Sequence, residues 1–337
     1  QTEYKALEEI MATLKDVARE TGLTVSTVSR VLNNRGYISK EAREKVYEAM
    51  KKLNYQPNEV ARSLSKQTTN TIGVILPHID HPYFSRLLSS LETAAYLNEY
   101  KLMVFNSNER DDKEVKYLEM CRGIRVAGII LCSGTVDVQR FEDLGVPLVT
   151  IERFLESGTA AIECDNRQGG RMVAKHLAEK GCRKVVYLSG ENAEPMPADD
   201  RAQGFAEVCR QEGLECLDLE EEKTDALYAS LDYHEYIEKI LEEHPEIDGI
   251  FASSDVIAAQ VIQICRKKGI NIPDQIKLVG FDDSLISMLT SPAITTIRQP
   301  IPEMASLAVQ TILRASNKEM VPSRTILPVS LVERETT

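Results

Sequence analysis

Apolar residues near the start of the chain recur at the three- and four-residue spacing of amphipathic helices. Residues 14–20 predict a first short helix, and Gly22 can adopt the positive φ of the tight turn that follows. A second helix is predicted over 25–33 with Thr24 as its N-cap, and a third runs from 39 to 53. The pattern therefore predicts a small all-α unit.

From Thr71 onward, uninterrupted apolar runs of strand length alternate with amphipathic helices. The predicted strands are 72–76, 101–105, 128–132, 148–151, 184–189, 249–252 and 277–280. The predicted helices are 84–98, 111–122, 168–180, 201–212, 232–243 and 255–268. Uniformly apolar strands alternating with helices indicate parallel sheets covered on both faces. The fold class is therefore α/β, with an all-α head and a body of two doubly wound lobes.

The charge distribution separates the head from the body. The 337-residue chain has a net charge of -12, but residues 11–66 carry +5 and residues 67–337 carry -15. A basic module joined to an acidic body is typical of a DNA-binding head on a soluble domain. The acidic body repels DNA, so the head is the expected DNA-binding surface.

Several classes of protein find no support in the sequence. There is no apolar run long enough for a membrane span and no secretory leader. The seven cysteines are scattered and form no CxxC pair, which favours buried thiols in a reducing cytoplasm over disulfides or zinc. The five histidines lack metal-ligand spacing, so surface or capping roles are expected for them. No nucleotide-binding loop or GxSxG motif is present, so we expect no cofactor and no enzyme activity.

The head has two interpretations on spacing alone. A short three-helix unit rich in Ser and Thr is compatible with any helical bundle. The exposed positions 25, 26, 29 and 30 carry short or hydrogen-bonding side chains, which suits contacts to base edges and phosphates. The next segment, 54–64, brings Pro57 to a helix entry and has one exposed Leu near its end, and residues 65–70 form a polar linker.

The sequence LKDVARETGLTVSTVSRVLNN followed by NYQPNEVARSL resembles the signature of the LacI/GalR (lactose-repressor) family, and the likeness continues along the chain after Met11. The resemblance implies that Val25 and Ser26 read bases in the major groove and that Arg30 contacts a base or a phosphate. The full set of DNA-contacting residues that it implies is Thr24, Val25, Ser26, Thr27, Ser29, Arg30, Asn33, Asn58, Ala61 and Leu64. Val25 replaces the polar or aromatic residue of some relatives, so their operator sequences do not transfer.

The resemblance also implies a hinge and a division into domains. Residues 57–64 match a helix that orders only on the operator, and Leu64 matches the leucine that wedges into the central minor-groove step. The expected domains are a candidate leader at 1–10, a helix-turn-helix domain at 11–56, a hinge helix and linker at 57–70, and an effector-binding and dimerisation domain at 71–337. The N-lobe of this last domain is expected at about 71–164 and 297–326, and the C-lobe at about 165–296 and 327–337.

In this family the body resembles periplasmic sugar-binding proteins, which hold a ligand between their lobes. The effector contacts that the resemblance implies are Tyr83, Phe84, Glu152, Arg201, Tyr228, Ser254 and Asp282. Alternatives remain open: Phe84 can belong to the core, Glu152 can pair with Arg153, and Ser254 and Asp255 suit a polar contact and a helix cap. Asp283 is the expected structural cap beside Asp282.

An arginine, two carboxylates and aromatic faces suit a sugar, because carboxylates accept from hydroxyls and aromatic rings cover the apolar ring face. Purine-binding relatives have a threonine two residues after the arginine, whereas this chain has Gln203. The sequence therefore predicts a repressor of a carbohydrate operon that a mono- or disaccharide induces. Corepression by a purine and control by a partner protein are alternatives, and a sugar-binding receptor or an α/β enzyme are rivals of another class.

The expected assembly is a cytoplasmic homodimer on double-stranded operator DNA, with no membrane partner. Two operator half-sites need two heads related by a two-fold axis. The C-terminal residues from Val332 to Glu335 show no heptad tail of the kind that tetrameric relatives use.

Overall fold

The computed structural model describes residues 12–32, 36–56, 69–133, 144–153, 155, 158–189, 196–217 and 231–337. The chain divides between Thr69 and Asn70 into two compact units, which are described separately.

The first unit contains three helices: α1 (Leu14–Thr21), α2 (Val25–Leu32) and α3 (Lys40–Lys52). Thr13 begins α1, since its backbone N and its Oγ1 both donate to the Asp16 carboxylate. Gly22 ends α1 in the left-handed conformation, with a φ of 67°, and this turns the chain into α2.

The side chains of Thr24 and Ser39 fix where the next two helices begin. Thr24 Oγ1 accepts from the backbone N of Thr27 at 3.1 Å, and Ser39 Oγ accepts from Ala42 at 3.2 Å. The three helices enclose a small core of fully buried aliphatic side chains: Val17, Val28, Val31 and Val46. The predicted three-helix head is confirmed.

The second unit contains two six-stranded sheets flanked by helices. Its strands are β1 (Thr71–Leu76), β2 (Lys101–Asn106), β3 (Gly128–Leu131), β4 (Leu148–Ile151), β5 (Ala160–Cys164), β6 (Lys184–Leu188), β7 (Glu215–Leu217), β8 (Gly249–Ala252), β9 (Lys277–Asp282), β10 (Thr295–Arg298), β11 (Arg324–Leu327) and β12 (Ser330–Val332). Its α-helices are α4 (Pro82–Leu97), α5 (Asp111–Ile124), α6 (Asn166–Glu179), α7 (Asp200–Glu212), α8 (His234–Glu243), α9 (Asp255–Lys268), α10 (Leu285–Leu289) and α11 (Ile301–Ser316).

The two sheets define the two lobes. The N-lobe sheet has the order β11-β5-β4-β3-β1-β2, and the C-lobe sheet has the order β12-β10-β9-β8-β6-β7. The chain crosses between the lobes after β5, after β10 and after β11. All pairings are parallel except that of β12 with β10. The predicted α/β fold class is confirmed, and the antiparallel β12 departs from the expected parallel pattern.

Five strands of the structure were not predicted: β5, β7, β10, β11 and β12. In β5 and β10, polar side chains occupy buried positions and interrupt the apolar pattern. Glu163 is 2% exposed because Arg324 on β11 binds it in a two-pronged ion pair at 2.7 and 3.1 Å. Thr295 and Thr296 are fully buried and hydrogen-bonded to Thr337 and Asp255.

Helices α6 and α7 touch through two glycines, and this contact positions the N-terminal turn of α7. A Cβ added to Gly170 would lie 2.0 Å from the Arg201 carbonyl oxygen, and one added to Gly204 would lie 2.0 Å from that of Arg167. The two backbones therefore approach more closely than any side chain would allow. Among the described residues, no helix is both long enough and apolar enough to cross a membrane.

Candidate functional site

The outer face of α2 is the candidate DNA-contacting surface of the head. Val25 is 41% exposed, Ser26 and Arg30 are exposed, and Thr27 and Ser29 are half-buried. The guanidinium of Arg30 lies next to Gly36, where a Cβ would be 2.6 Å from Nη2. The predicted contacts Asn33, Asn58, Ala61 and Leu64 lie outside the described residues.

The candidate effector cleft lies where parallel strands of both lobes end. Glu152 follows β4, Asp282 is the last residue of β9, and Ser254 follows β8. Tyr83 belongs to the first turn of α4, and Arg201 to the first turn of α7. Ligands of open α/β sheets bind at these carboxyl ends. Tyr228 lies outside the described residues.

Arg201 is buried and hydrogen-bonded on both sides. Its Nε donates to Asn166 Oδ1 at 2.8 Å, and its Nη1 donates to the Ser253 carbonyl oxygen at 2.8 Å. The guanidinium carbon lies 3.6 Å from the centroid of the Phe281 ring. These contacts fix the plane of the guanidinium, as bidentate recognition of hydroxyls or a carboxylate requires.

Glu152 is linked to Arg201 through Asn166. One carboxylate oxygen of Glu152 accepts from the backbone N of Cys164 at 2.6 Å, and the other accepts from Asn166 Nδ2 at 2.8 Å. That second oxygen lies 4.0 Å from Arg201 Nη2. Burial raises the pKa of Glu152, and the nearby Arg201 charge opposes the rise. Arg153, the alternative partner of Glu152, donates from Nη1 to the Ser133 carbonyl oxygen.

Asp282 is 4% exposed and accepts from Gln299 Nε2 at 2.7 Å. Burial raises the pKa of Asp282 well above its usual range, and Arg201 opposes the rise. The backbone φ is 108° at Asp282 and 55° at Glu152, both in the region that favours glycine. Both candidate ligand carboxylates therefore sit on strained backbone, a feature that clusters at binding sites.

Three buried polar atoms near the cleft have no hydrogen-bond partner among the described residues: Tyr83 Oη, Ser133 Oγ and Gln299 Oε1. Buried polar atoms are nearly always satisfied, so this group points to a polar ligand or water. Tyr83 and Phe84 pack edge-to-face at 5.0 Å between centroids, and both are buried. Phe84 also belongs to the apolar core, so its alternative role as a core residue is compatible with the structure.

Of Ser254 and Asp255, the first rather than the second caps the helix. Ser254 Oγ caps α9 by accepting from the backbone N of Ile257 at 3.3 Å. Asp255 is fully buried and accepts from the backbone N of Ser284 and from Thr296 Oγ1, both at 2.6 Å. Burial raises the pKa of Asp255 to about 7.

Asp283 is structural, but it is an ion-pair acceptor rather than the expected cap. Arg298 Nε lies 2.6 Å and Arg334 Nη2 lies 2.5 Å from its two carboxylate oxygens. Burial alone would raise the pKa of Asp283, but these two arginines hold it below the usual value. The N-cap position of α10 belongs to Ser284.

Sequence reasoning missed Asn166, Gln299, Ser253 and Phe281. Asn166 and Gln299 follow β5 and β10, the strands whose polar buried positions concealed them. Because neither strand was predicted, a search for amides at the ends of predicted strands would not have found these two residues. His81 has the expected capping role, since its Nδ1 caps α4, whereas His78 and His176 are buried rather than at the surface. Burial lowers the pKa of His81 to about 4. No group of acidic, His and Cys side chains within the described part of the chain is arranged to hold a metal ion.

Two family models match the chain. Residues 13–58 match the model "Bacterial regulatory proteins, lacI family", and residues 174–337 match "Periplasmic binding protein-like domain".

Individual proteins are similar over nearly the whole length. The ribose operon repressor of Halalkalibacterium halodurans is 36% identical over 97% of both chains. The sucrose operon repressor of Streptococcus mutans is 35% identical over 97% of this chain and 99% of the relative. Among solved structures, the lac repressor dimer bound to operator and the anti-inducer ONPF has a TM-score of 0.84, with 25% identity over 97% of this chain and 99% of that one.

Proposed function

The chain belongs to the LacI family of bacterial regulatory proteins and is a DNA-binding transcription repressor, and from this premise we propose that a sugar bound between its lobes releases it from its operator. The relatives named for ribose and sucrose operons support a mono- or disaccharide. The regulated genes would then serve uptake or breakdown of that sugar.

One observation carries the effector proposal: Glu152, Asn166 and Arg201 form a continuous hydrogen-bonded chain at the strand ends. Glu152 belongs to the N-lobe and Arg201 to the C-lobe, so a ligand that competes for these groups acts on both lobes. An effector shifts DNA affinity only by the difference in its affinity for the two lobe arrangements. A site shared by the lobes provides that difference.

The alternatives have weaker support. The cleft offers carboxylates and buried hydroxyl and amide groups, which suits a polyhydroxyl ligand, and Gln203 stands where purine-binding relatives have threonine. A transport receptor does not account for the basic helix-turn-helix head. For an enzyme, no cluster of side chains that could hold a metal ion is found among the described residues.

We further propose that the repressor works as a cytoplasmic homodimer. Short α10 presents three exposed apolar side chains: Leu285 at 62%, Met288 at 56% and Leu289 at 73%. A cluster of this kind is typical of a surface that another protein covers. The lac repressor dimer, which has the same overall fold, supports a second copy as that protein.

The experiment is a fluorescence-anisotropy titration of the protein against its own upstream DNA, with and without D-ribose and sucrose. We expect nanomolar binding that one of the sugars weakens by at least tenfold. Arg30→Ala should cost about 1–3 kcal/mol of operator binding, the value of one good base contact. It should leave sugar binding intact.

Leu64→Ala is the companion variant, and its residue lies outside the described residues. Removal of the proposed wedge should weaken specific binding more than binding to random DNA. Unchanged operator binding by Arg30→Ala at physiological salt would disprove the role of α2. Equal losses on both DNAs would disprove the wedge.

A further inference from the structure

Arg86 is an exposed residue of α4 that joins the two lobes. Its Nη1 donates a hydrogen bond to the backbone carbonyl oxygen of Asp283. Helix α4 packs on α11 and β2 in the N-lobe, whereas Asp283 follows β9 of the C-lobe sheet. The two residues are 197 positions apart in the chain.

The acceptor of this hydrogen bond is held rigidly within the C-lobe. The Asp283 side chain is bound by Arg298 and Arg334, and the next backbone N, that of Ser284, donates to Asp255. Asp283 has a φ of 51°, and Asp282 directly before it has a φ of 108°. The Arg86 guanidinium therefore binds the backbone carbonyl of Asp283, which belongs to the same rigid segment as Asp282.

The donor is positioned by the segment that carries the aromatic residues of the cleft. Arg86 lies one helical turn after Tyr83 on α4, whose first turn is fixed by the His81 cap. The Arg86 contact therefore belongs to a lobe arrangement in which the helix that carries Tyr83 is joined to the segment that presents Asp282.

We propose that Arg86 is a positioning residue, which stabilises this lobe arrangement through the Asp283 carbonyl and thereby strengthens effector binding without contacting the effector. The part that concerns the effector rests on the proposed function. Affinity for a ligand is reduced by the fraction of molecules outside the competent arrangement, so losing the contact weakens binding. One partly exposed hydrogen bond from a charged donor corresponds to about a threefold to tenfold effect.

The first test needs no ligand. Hydrogen exchange of the full-length protein is compared for wild type, Arg86→Ala, Arg86→Lys and the control Arg122→Ala, an exposed arginine of α5. We expect the backbone amides of Ser284 and Ser287 to exchange about threefold to tenfold faster in Arg86→Ala. Lysine still donates to the carbonyl, so Arg86→Lys should restore much of the protection. The control should match wild type, and amides of β1 and β8 should be unaffected in every variant.

Equal exchange at Ser284 and Ser287 in Arg86→Ala and wild type would overturn the proposal, and so would faster exchange that lysine does not reduce. If Arg86→Ala fails to fold, Arg86→Gln keeps the stem and a neutral donor, and intermediate exchange is expected. The second test is calorimetric titration with D-ribose and sucrose, in which Arg86→Ala should bind the active sugar about threefold to tenfold more weakly. A wild type that binds neither sugar contradicts the sugar proposal, while the exchange rates still decide the role of Arg86.

Discussion

At Asp282, a buried carboxylate sits on a backbone with a φ of 108° and accepts from the Gln299 amide. We expect Asp282→Ala to keep operator binding but lose the response to the sugar. Loss of hydrogen bonds to a charged acceptor corresponds to at least a tenfold weaker effector. The measurement is operator binding by anisotropy across a titration of the sugar that releases wild type.

The control for this variant is Asp274→Ala, at an exposed position before β9. It should respond as wild type does. Normal release of Asp282→Ala by the sugar, or loss of its DNA binding when no sugar is present, would contradict the assignment of Asp282.

Asp255 predicts a pH dependence of stability. Its pKa rises from an ordinary 3.8 to about 7 on folding, mainly through burial. Between pH 4 and 7 the unfolded state therefore ionises first, and the contribution of Asp255 to the free energy of unfolding falls as pH rises. Each unit of pKa difference is worth about 1.4 kcal/mol. Chemical denaturation at pH 4.5, 6 and 7.5 should show a smaller loss of stability with rising pH in Asp255→Asn than in wild type, and equal slopes would refute the raised pKa.

At the residue scale, the family resemblance points to the proposed charged ligands but not to the groups that hold them. Glu152 and Arg201 are proposed because they align with effector contacts of the family, and their chemistry suits a sugar. Asn166 and Gln299 bind those side chains or their neighbours, but only after the chain has folded. Their roles depend on contacts 14 to 35 residues apart, which no local pattern contains.

At the element scale, the close contact between α6 and α7 predicts that a side chain at Gly204 destabilises the protein. Gly204→Ala would place a methyl group 2.0 Å from the Arg167 carbonyl oxygen, so the two helices must separate. We expect a loss of at least about 2 kcal/mol in the free energy of unfolding, since overpacking against backbone is poorly relieved. Weaker sugar binding should accompany it because α7 carries Arg201.

Gly123→Ala is the matched control, since Gly123 lies in α5 and a Cβ there meets nothing within 4 Å. Alanine is the better helix former, so this variant should be equal or more stable. Urea denaturation of both variants makes the comparison. A Gly204→Ala protein as stable as Gly123→Ala would show that the helices can part without cost.

Elements were predicted where burial and apolar character coincide. Strand β1 is buried and wholly apolar apart from Thr71 and Gly73, and its bounds were anticipated to within one residue. The sequence of β5 gives no comparable signal, because the buried Glu163 needs Arg324 to offset its charge. Strands β5 and β10 were missed because their buried polar positions are satisfied by partners far along the chain.

At the scale of the whole molecule, the apolar side chains of α10 predict the assembly. Met288→Glu and Leu289→Glu would place charges on the proposed dimer surface, where burial without a partner is unfavourable. Sedimentation velocity at micromolar concentration should show dimers for wild type and monomers for these variants, with weaker operator binding as a result. Met320→Glu is the control, since Met320 is 92% exposed and lies outside α10. A wild-type monomer or tetramer would contradict the proposal.

The hydrogen bonds that join Glu152, Asn166 and Arg201 occupy the groups that the proposed effector would bind. An incoming sugar must replace hydrogen bonds that the protein makes with itself. Part of its binding free energy therefore only offsets the loss of those internal hydrogen bonds. Such a site responds to an abundant nutrient and ignores traces of it. On the proposed function, Asn166 would thereby raise the threshold sugar concentration for release of the operator, although it lies far from the helix proposed to read DNA in the sequence.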